Sequence, residues 1–258
     1  MGGLVGVIPA AGLSQRLAPL PSSKELFPIG FHQIEADGKL AWRPKPVGLY
    51  LVERMALASL DRITMIINRD KLDILRYFGS RSLGVPISYV IQDNLWGMPF
   101  ALDLVKPWLR EDETVLFGMP DTIFFPVDAF PRLLAEHQRT GADLTLGLFP
   151  TDKPQRFGMV SYDEDRRFIY TVDKPATTDL TYMWGIGCWN STFTHFMSSF
   201  LKDWQAPKQE VVLGQVFQAA ATAGLDLRVL PLEDGEYVDM GAPADLVAAV
   251  RRFSGDSG

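Results

Sequence analysis

The chain has 258 residues, 47% of them hydrophobic, with 25 Lys and Arg against 31 Asp and Glu for a net charge of −6. That balance excludes a protein that grips nucleic acid through a broad basic surface, because such binding rests on neutralising phosphates. A single cysteine, Cys188, excludes an intrachain disulfide framework and fits a reducing compartment.

In chain order, Met1-Gly2-Gly3 carries no basic leader, and Leu4 to Pro9 reads as a first buried strand. Asp37-Gly38 marks the turn of a hairpin within 30–44. Pro46 opens a helix running to about Leu60, with Val47, Leu51, Met55 and Ala58 on one face. Arg62 to Asn68 is a strand, Lys71 to Phe78 a helix, Ile87 to Gln92 a strand and Pro99 to Leu109 a helix. Thr114 to Phe117 is a strand, Val127 to Thr140 a helix and Asp143 to Phe149 a strand. This alternation predicts a largely parallel sheet covered on both faces. Beyond residue 150 the rhythm becomes antiparallel. Strands fall at Phe157–Tyr162, Phe168–Asp173 and Tyr182–Trp189, helices at 191–203 and 209–224, a strand at 226–232 and a last helix at Pro243–Phe253. No apolar run nears the roughly 20 residues that span a membrane. The expectation is one compact α/β domain over 1–258, cytoplasmic, with no membrane or nucleic-acid partner.

Three places carry chemistry. The first strand ends in Pro9-Ala10-Ala11-Gly12, whose small residues let backbone N–H groups approach a phosphate chain, with Arg16 and Lys24 downstream to neutralise it. The spacing is neither GxxxxGK[ST] nor GxGxxG, and a tight turn with two solvated cations reads equally well. Asp121 follows a buried strand at the carboxyl edge of the sheet, where α/β proteins place ligands. Asp239 lies in Tyr237-Val238-Asp239-Met240-Gly241, at another strand-to-helix turn. Two such carboxylates suit Mg²⁺, although each alone suits a helix N-cap.

Together these segments resemble the sugar-1-phosphate nucleotidyltransferases, most closely the glucose-1-phosphate thymidylyltransferase and uridylyltransferase branches. Gly12-Leu13-Ser14-Gln15-Arg16-Leu17-Ala18-Pro19 and Ser23-Lys24-Glu25-Leu26-Phe27-Pro28 are similar to the family's first motif. Ile91-Gln92 with Leu95-Trp96-Gly97-Met98-Pro99-Phe100-Ala101 resembles its base-reading segment. Gly118-Met119-Pro120-Asp121 stands where the family has its metal aspartate, and Arg156-Phe157-Gly158-Met159-Val160 where a strand touches the sugar. Val172-Asp173-Lys174-Pro175 and Val238-Asp239-Met240-Gly241-Ala242-Pro243 resemble the last two motifs.

The resemblance implies a Rossmann-like, three-layer α/β/α fold with a mixed, mostly parallel sheet, its nucleotide half over 1–150 and its sugar-phosphate half over 151–258. It implies a nucleoside triphosphate, dTTP or UTP, held by Ala10, Ala11, Gly12, Leu13, Gln92, Gly97 and Asp121. Arg16, Lys24 and Lys174 would be catalytic. Asp121 and Asp239 would hold Mg²⁺, while Gly158, Asp173, Lys174 and Trp184 would bind the sugar-1-phosphate, glucose-1-phosphate foremost. It also suggests a homo-oligomer; the short stretch after the last motif predicts no C-terminal helical repeat domain.

Several residues depart from the pattern. Ser14 replaces a loop glycine, which its Cβ permits only if the position avoids positive φ. Gln15 replaces a threonine, Met119-Pro120 precedes the metal aspartate, and Asp173 is one methylene shorter than the usual Glu. These departures keep two alternatives open: the same reaction on a cyclitol or amino-sugar phosphate, and a non-catalytic nucleotide-sensing homologue. His32, His137 and His195 lack ligand spacing, Cys188 reads as core, and Trp184 and Trp189 suit packing as well as a sugar face. Arg251-Arg252 suit the last turn of a helix.

Overall fold

A computed structural model describes residues 2–36, 38–204 and 210–253. Asp37 of the expected hairpin turn and residue 209 of the expected helix lie outside the described residues.

Strand β1 (Leu4–Pro9) leads through a loop to the hairpin of β2 (Pro28–Ala36) and β3 (Lys39–Pro46), then α1 (Val47–Ala56), β4 (Arg62–Ile67) and α2 (Leu72–Phe78). A two-residue edge strand, β5 (Arg81–Ser82), precedes β6 (Val85–Ile91) and α3 (Met98–Asp103). Next come β7 (Thr114–Gly118), β8 (Thr122–Phe125), α4 (Ala129–Thr140) and β9 (Leu144–Pro150). The later part runs β10 (Gly158–Tyr162), β11 (Phe168–Asp173), β12 (Tyr182–Trp189), α5 (Ser191–Leu201), α6 (Leu213–Thr222), β13 (Leu227–Pro231), β14 (Glu236–Asp239) and α7 (Pro243–Phe253).

β1, β4, β6 and β7 are mutually parallel in the order β7-β1-β4-β6. β12 runs against them, pairing β7 and β10 along one edge and β9 along the other, and β13 is parallel to β9. The sheet is therefore mixed and mostly parallel, as the sequence predicts. Strand alternation sends successive side chains to opposite faces. Val5, Val7, Val115 and Phe117 pack with Leu102, Phe193 and Phe217 on one side; Ile8, Leu116 and Cys188 pack with Leu51, Met55 and Phe130 on the other. Helices on both faces leave three layers. Among the described residues no helix is long and apolar enough to cross a membrane.

Helix ends follow local chemistry. Asn190 caps α5 by accepting from the Phe193 N–H at 3.2 Å, and Gly141 closes α4 at φ 65°. The helix expected over 46–60 stops at Ala56, because Ser59 at φ 60° turns the chain into β4. The helix expected over 99–109 stops at Asp103: Pro107 offers no N–H to the carbonyl four residues back, and the chain tightens into a 3-10 turn at Lys106–Trp108.

Besides the two-residue β5, two short strands escape the sequence reading. β8 and β14 pair antiparallel, off the main sheet, with Asp239 opposite Thr122. Ile123 and Met240 from this ribbon pack with Ile29, Val47 and Ala249 in a third apolar cluster beneath the hairpin base and α7.

His137 on α4 is buried, its Nδ1 3.0 Å from the Thr145 hydroxyl, and burial lowers its pKa from 6.5 to about 4. An unfolded chain binds this proton near pH 6.5, whereas the folded chain resists it. Stability is therefore complete above pH 6.5 and falls towards pH 4, by about 3 kcal/mol from this group. Urea denaturation across this range should show a shallower decline in His137→Gln than in the parent.

Candidate functional site

The carboxyl ends of the parallel strands open on a cleft of about 720 Å³. Its walls include Gly12, Leu13, Arg16, Lys24, Gln92, Gly97, Asp121, Gly158, Asp173, Lys174, Trp184 and Asp239, bringing together most of the residues singled out from the sequence. Ala10 and Ala11 are different. Both are buried beneath the loop, with the Ala10 N–H donating to the Ile66 carbonyl at 2.7 Å and the Asn68 amide donating to the Ala11 carbonyl at 2.5 Å. They hold the loop from below.

Ser14 does adopt positive φ, 56°, contrary to the condition its side chain sets. A serine in the left-handed region is strained relative to glycine, and its hydroxyl is buried without a hydrogen-bond partner. The strain begins the 3-10 turn Gln15–Leu17, which carries Arg16 towards the far wall. There a Cβ on Gly241 would lie 3.0 Å from the Arg16 guanidinium.

The floor is electrostatic. The β8–β14 ribbon sets Asp121 and Asp239 side by side, with the Met240 N–H donating to the Asp121 carbonyl at 3.1 Å. The Lys24 ammonium is 2.5 Å from Asp121 Oδ2. Burial alone would raise the Asp121 carboxyl, but the charge and hydrogen bond of Lys24 outweigh it and hold the group below its ordinary value. Burial pulls the Lys24 ammonium down, and Asp121 with Glu25 more than restores it. Asp239 is raised, first by burial and then by the Asp121 charge, despite the Gly241 N–H at 2.9 Å and Arg156 at 2.9 Å.

Two repelling carboxylates call for a cation. Among the described residues no group of three or more His, Cys, Asp or Glu side chains makes a closed metal cage. That donor set fits Mg²⁺, which accepts one or two carboxylates and fills its shell with water and substrate phosphates.

On one side of this floor, the buried Gln92 donates its amide N–H to the Asn94 carbonyl at 3.0 Å. Gly97, at φ 120°, approaches the segment before α6 so closely that a Cβ would lie 2.6 Å from the Val211 carbonyl. On the other side, a Cβ on Gly158 would lie 2.2 Å from Trp184 Nε1, so only glycine admits the indole. That indole N–H is buried with no partner, whereas Trp189 donates to Thr194 at 3.1 Å inside the core. Lys174 (φ 45°) is exposed, its ammonium 3.9 Å from Asp173.

Sequence reasoning passed over Glu25 and Lys71, which form a buried pair with both carboxylate oxygens 2.8 Å from the ammonium. Burial raises the Glu25 carboxyl and lowers the Lys71 ammonium. Glu25 stands inside the quoted Lys24 motif, but its partner lies on another element and leaves no local signal. Arg156, quoted for its neighbours and not for itself, joins Asp239 to Asp245.

A family model described as nucleotidyl transferase matches residues 5–254. A glucose-1-phosphate thymidylyltransferase of Streptomyces antibioticus is 23% identical over 94% of this chain and 64% of its own length. The chain thus spans just under two thirds of that relative. A Bacillus anthracis crystal structure assigned as a glucose-1-phosphate thymidylyltransferase, with sucrose bound, superposes at TM-score 0.81 and 23% identity, covering 99% of this chain and 97% of that one. A UTP-bound UGPase of Acinetobacter baumannii superposes at TM-score 0.78 and 15% identity, over 97% and 93%.

Replacing Lys71 by Met leaves Glu25 buried without its countercharge and should cost about 3–5 kcal/mol in urea denaturation. The double variant Glu25→Leu/Lys71→Met should recover most of that loss.

Proposed function

Since this chain belongs to the nucleotidyl transferase family, we propose that it transfers a nucleotidyl group from a nucleoside triphosphate to a sugar-1-phosphate, releasing pyrophosphate. The observation that carries this reading is the pair Asp121 and Asp239, set between the cations Lys24 and Arg16 at the centre of one cleft. The base side of that cleft is walled by Gln92 and Gly97 and the acceptor side by Asp173 and Lys174.

The triphosphate lies along the loop from Gly12 to Arg16, over the support given by Ala10 and Ala11. Arg16 and Lys24 bind its phosphates, Lys24 exchanging Asp121 for a phosphate oxygen. Asp121 and Asp239 would hold a Mg²⁺ ion, which when bound would supply charge neutralisation to the phosphates. Lys174, only loosely paired with Asp173, takes the acceptor's phosphate. One oxygen of that phosphate attacks the α-phosphorus, the bond to the bridging oxygen of the β-phosphate breaks, and pyrophosphate leaves between Arg16 and Lys24. A phosphate monoester is already ionised near neutral pH, so no general base is required; alignment and charge carry the rate.

The Gln92 contact supports a preference for uracil or thymine. One N–H of its amide is held by the Asn94 carbonyl, which orients the group and leaves its oxygen to accept and its second N–H to donate. The imide N–H and neighbouring carbonyl of uracil and thymine match that oxygen and N–H, whereas cytosine, an acceptor at the same ring position, requires the amide reversed against its Asn94 bond. Gly158, Asp173 and Trp184 line the acceptor wall, for which glucose-1-phosphate is the leading substrate.

Pyrophosphate release should require Mg²⁺, a triphosphate and a sugar-1-phosphate together, with UTP or dTTP favoured over CTP by about tenfold or more. Asp121→Asn should lower turnover about a thousandfold, and Lys174→Met should raise the acceptor KM with little change in triphosphate binding. Unchanged turnover in Asp121→Asn would overturn the assignment.

A further inference from the structure

Arg156 closes a 3-10 turn immediately before β10 and faces two carboxylates from the far end of the chain. Its Nη2 donates to Asp239 Oδ2 at 2.9 Å, and both terminal nitrogens donate to Asp245 in the first turn of α7. The other oxygen of Asp239, Oδ1, accepts the Gly241 N–H at 2.9 Å. One donor on each oxygen fixes the plane of the carboxylate, while each oxygen keeps a further lone pair. Asp245 turns a single contact into a brace: with the guanidinium fork held on α7, the Asp239 carboxylate cannot rotate unless a charge-assisted bond breaks.

We propose that Arg156, anchored by Asp245, is the positioning residue of Asp239, fixing the direction in which that carboxylate offers its lone pairs to a divalent cation. The inference rests on the reading of Asp239 as a metal-facing group. It also has a sign that separates it from plain electrostatics. A positive charge 2.9 Å from a carboxylate weakens that group's attraction for another cation, so removing Arg156 as a mere charge would tighten metal binding. Removing it as a positioning group loosens the ligand and weakens metal binding, by the factor of about 10 to 100 typical of partners that orient a metal ligand.

Arg156 also separates the cleft from a second cavity of about 540 Å³, which shares Phe157, Tyr237 and Asp239 as its wall. A free guanidinium ion can therefore reach the position that a truncated side chain vacates.

The test is a titration of the full-length protein with Mn²⁺, followed by electron paramagnetic resonance. The α,β-methylene analogue of the triphosphate that supports turnover is present, so no reaction occurs. Arg156→Ala should bind Mn²⁺ about tenfold more weakly, its affinity for the analogue without metal should be unchanged, and added guanidinium should restore part of the loss. Asp245→Asn, which keeps Arg156 but loosens its anchor, should weaken Mn²⁺ binding by a smaller factor. Equal or tighter Mn²⁺ binding in Arg156→Ala overturns the inference. If that variant does not fold, the same result in Asp245→Asn overturns it. Asp239→Asn tests the underlying reading separately: Mn²⁺ binding equal to the parent's removes Asp239 as a metal ligand, and the inference falls with it.

Discussion

Two carboxylates held side by side at the edge of a half-buried ribbon repel one another, and much of the cleft is arranged around that repulsion. Asp121 and Asp239 are brought together by the backbone pairing of β8 with β14 and by the Met240 N–H donating to the Asp121 carbonyl next to that ladder. The protein answers with cations on opposite sides: Lys24 against Asp121, Arg156 against Asp239. Each cation is itself tied to a further carboxylate environment, Lys24 beside the buried Glu25–Lys71 pair and Arg156 to Asp245. Charge alternates outwards from the centre, so that each of these groups faces an opposite charge.

The same arrangement explains the glycines that the cleft cannot exchange. Gly97 and Gly158 stand where two parts of the molecule come into contact, the base loop against the segment before α6 and the start of β10 against Trp184. Both limit how wide the cleft can be, because the backbone already touches its neighbour. Ser14 is the opposite case, a side chain placed where glycine is the easier choice. Its positive φ shows that the turn's geometry is imposed by its surroundings and not by the residue that occupies it.

Much of the fold is legible in the sequence because β-branched runs such as Arg62–Ile67 and amphipathic stretches such as Val47–Ala56 carry their own periodicity. The cleft residues are legible for a different reason, since small residues, cations and acids recur at strand ends in an order that resembles a family. What stays hidden is whatever depends on a partner distant in the chain. Thr122–Phe125 and Glu236–Asp239 are four-residue segments with no alternation to mark them, and each is a strand only because the other exists. Glu25 and Lys71 carry no local mark of the burial that the fold imposes on them together. Likewise, the φ of Ser14 is set by neighbours that no local rule identifies.

The β8–β14 ribbon has a consequence for how the molecule comes into being. Its two strands are more than a hundred residues apart, and β14 lies close to the last helix of the described chain. On the ribosome, Asp121 and Lys24 emerge long before the strand that brings Asp239. A nascent chain that has completed its parallel strands therefore holds half of the carboxylate pair and no opposing ribbon. Contacts of such long range are slow to form, since the chain between them must be ordered first. The centre of the cleft thus waits on β14, the strand whose pairing brings Asp239 to Asp121.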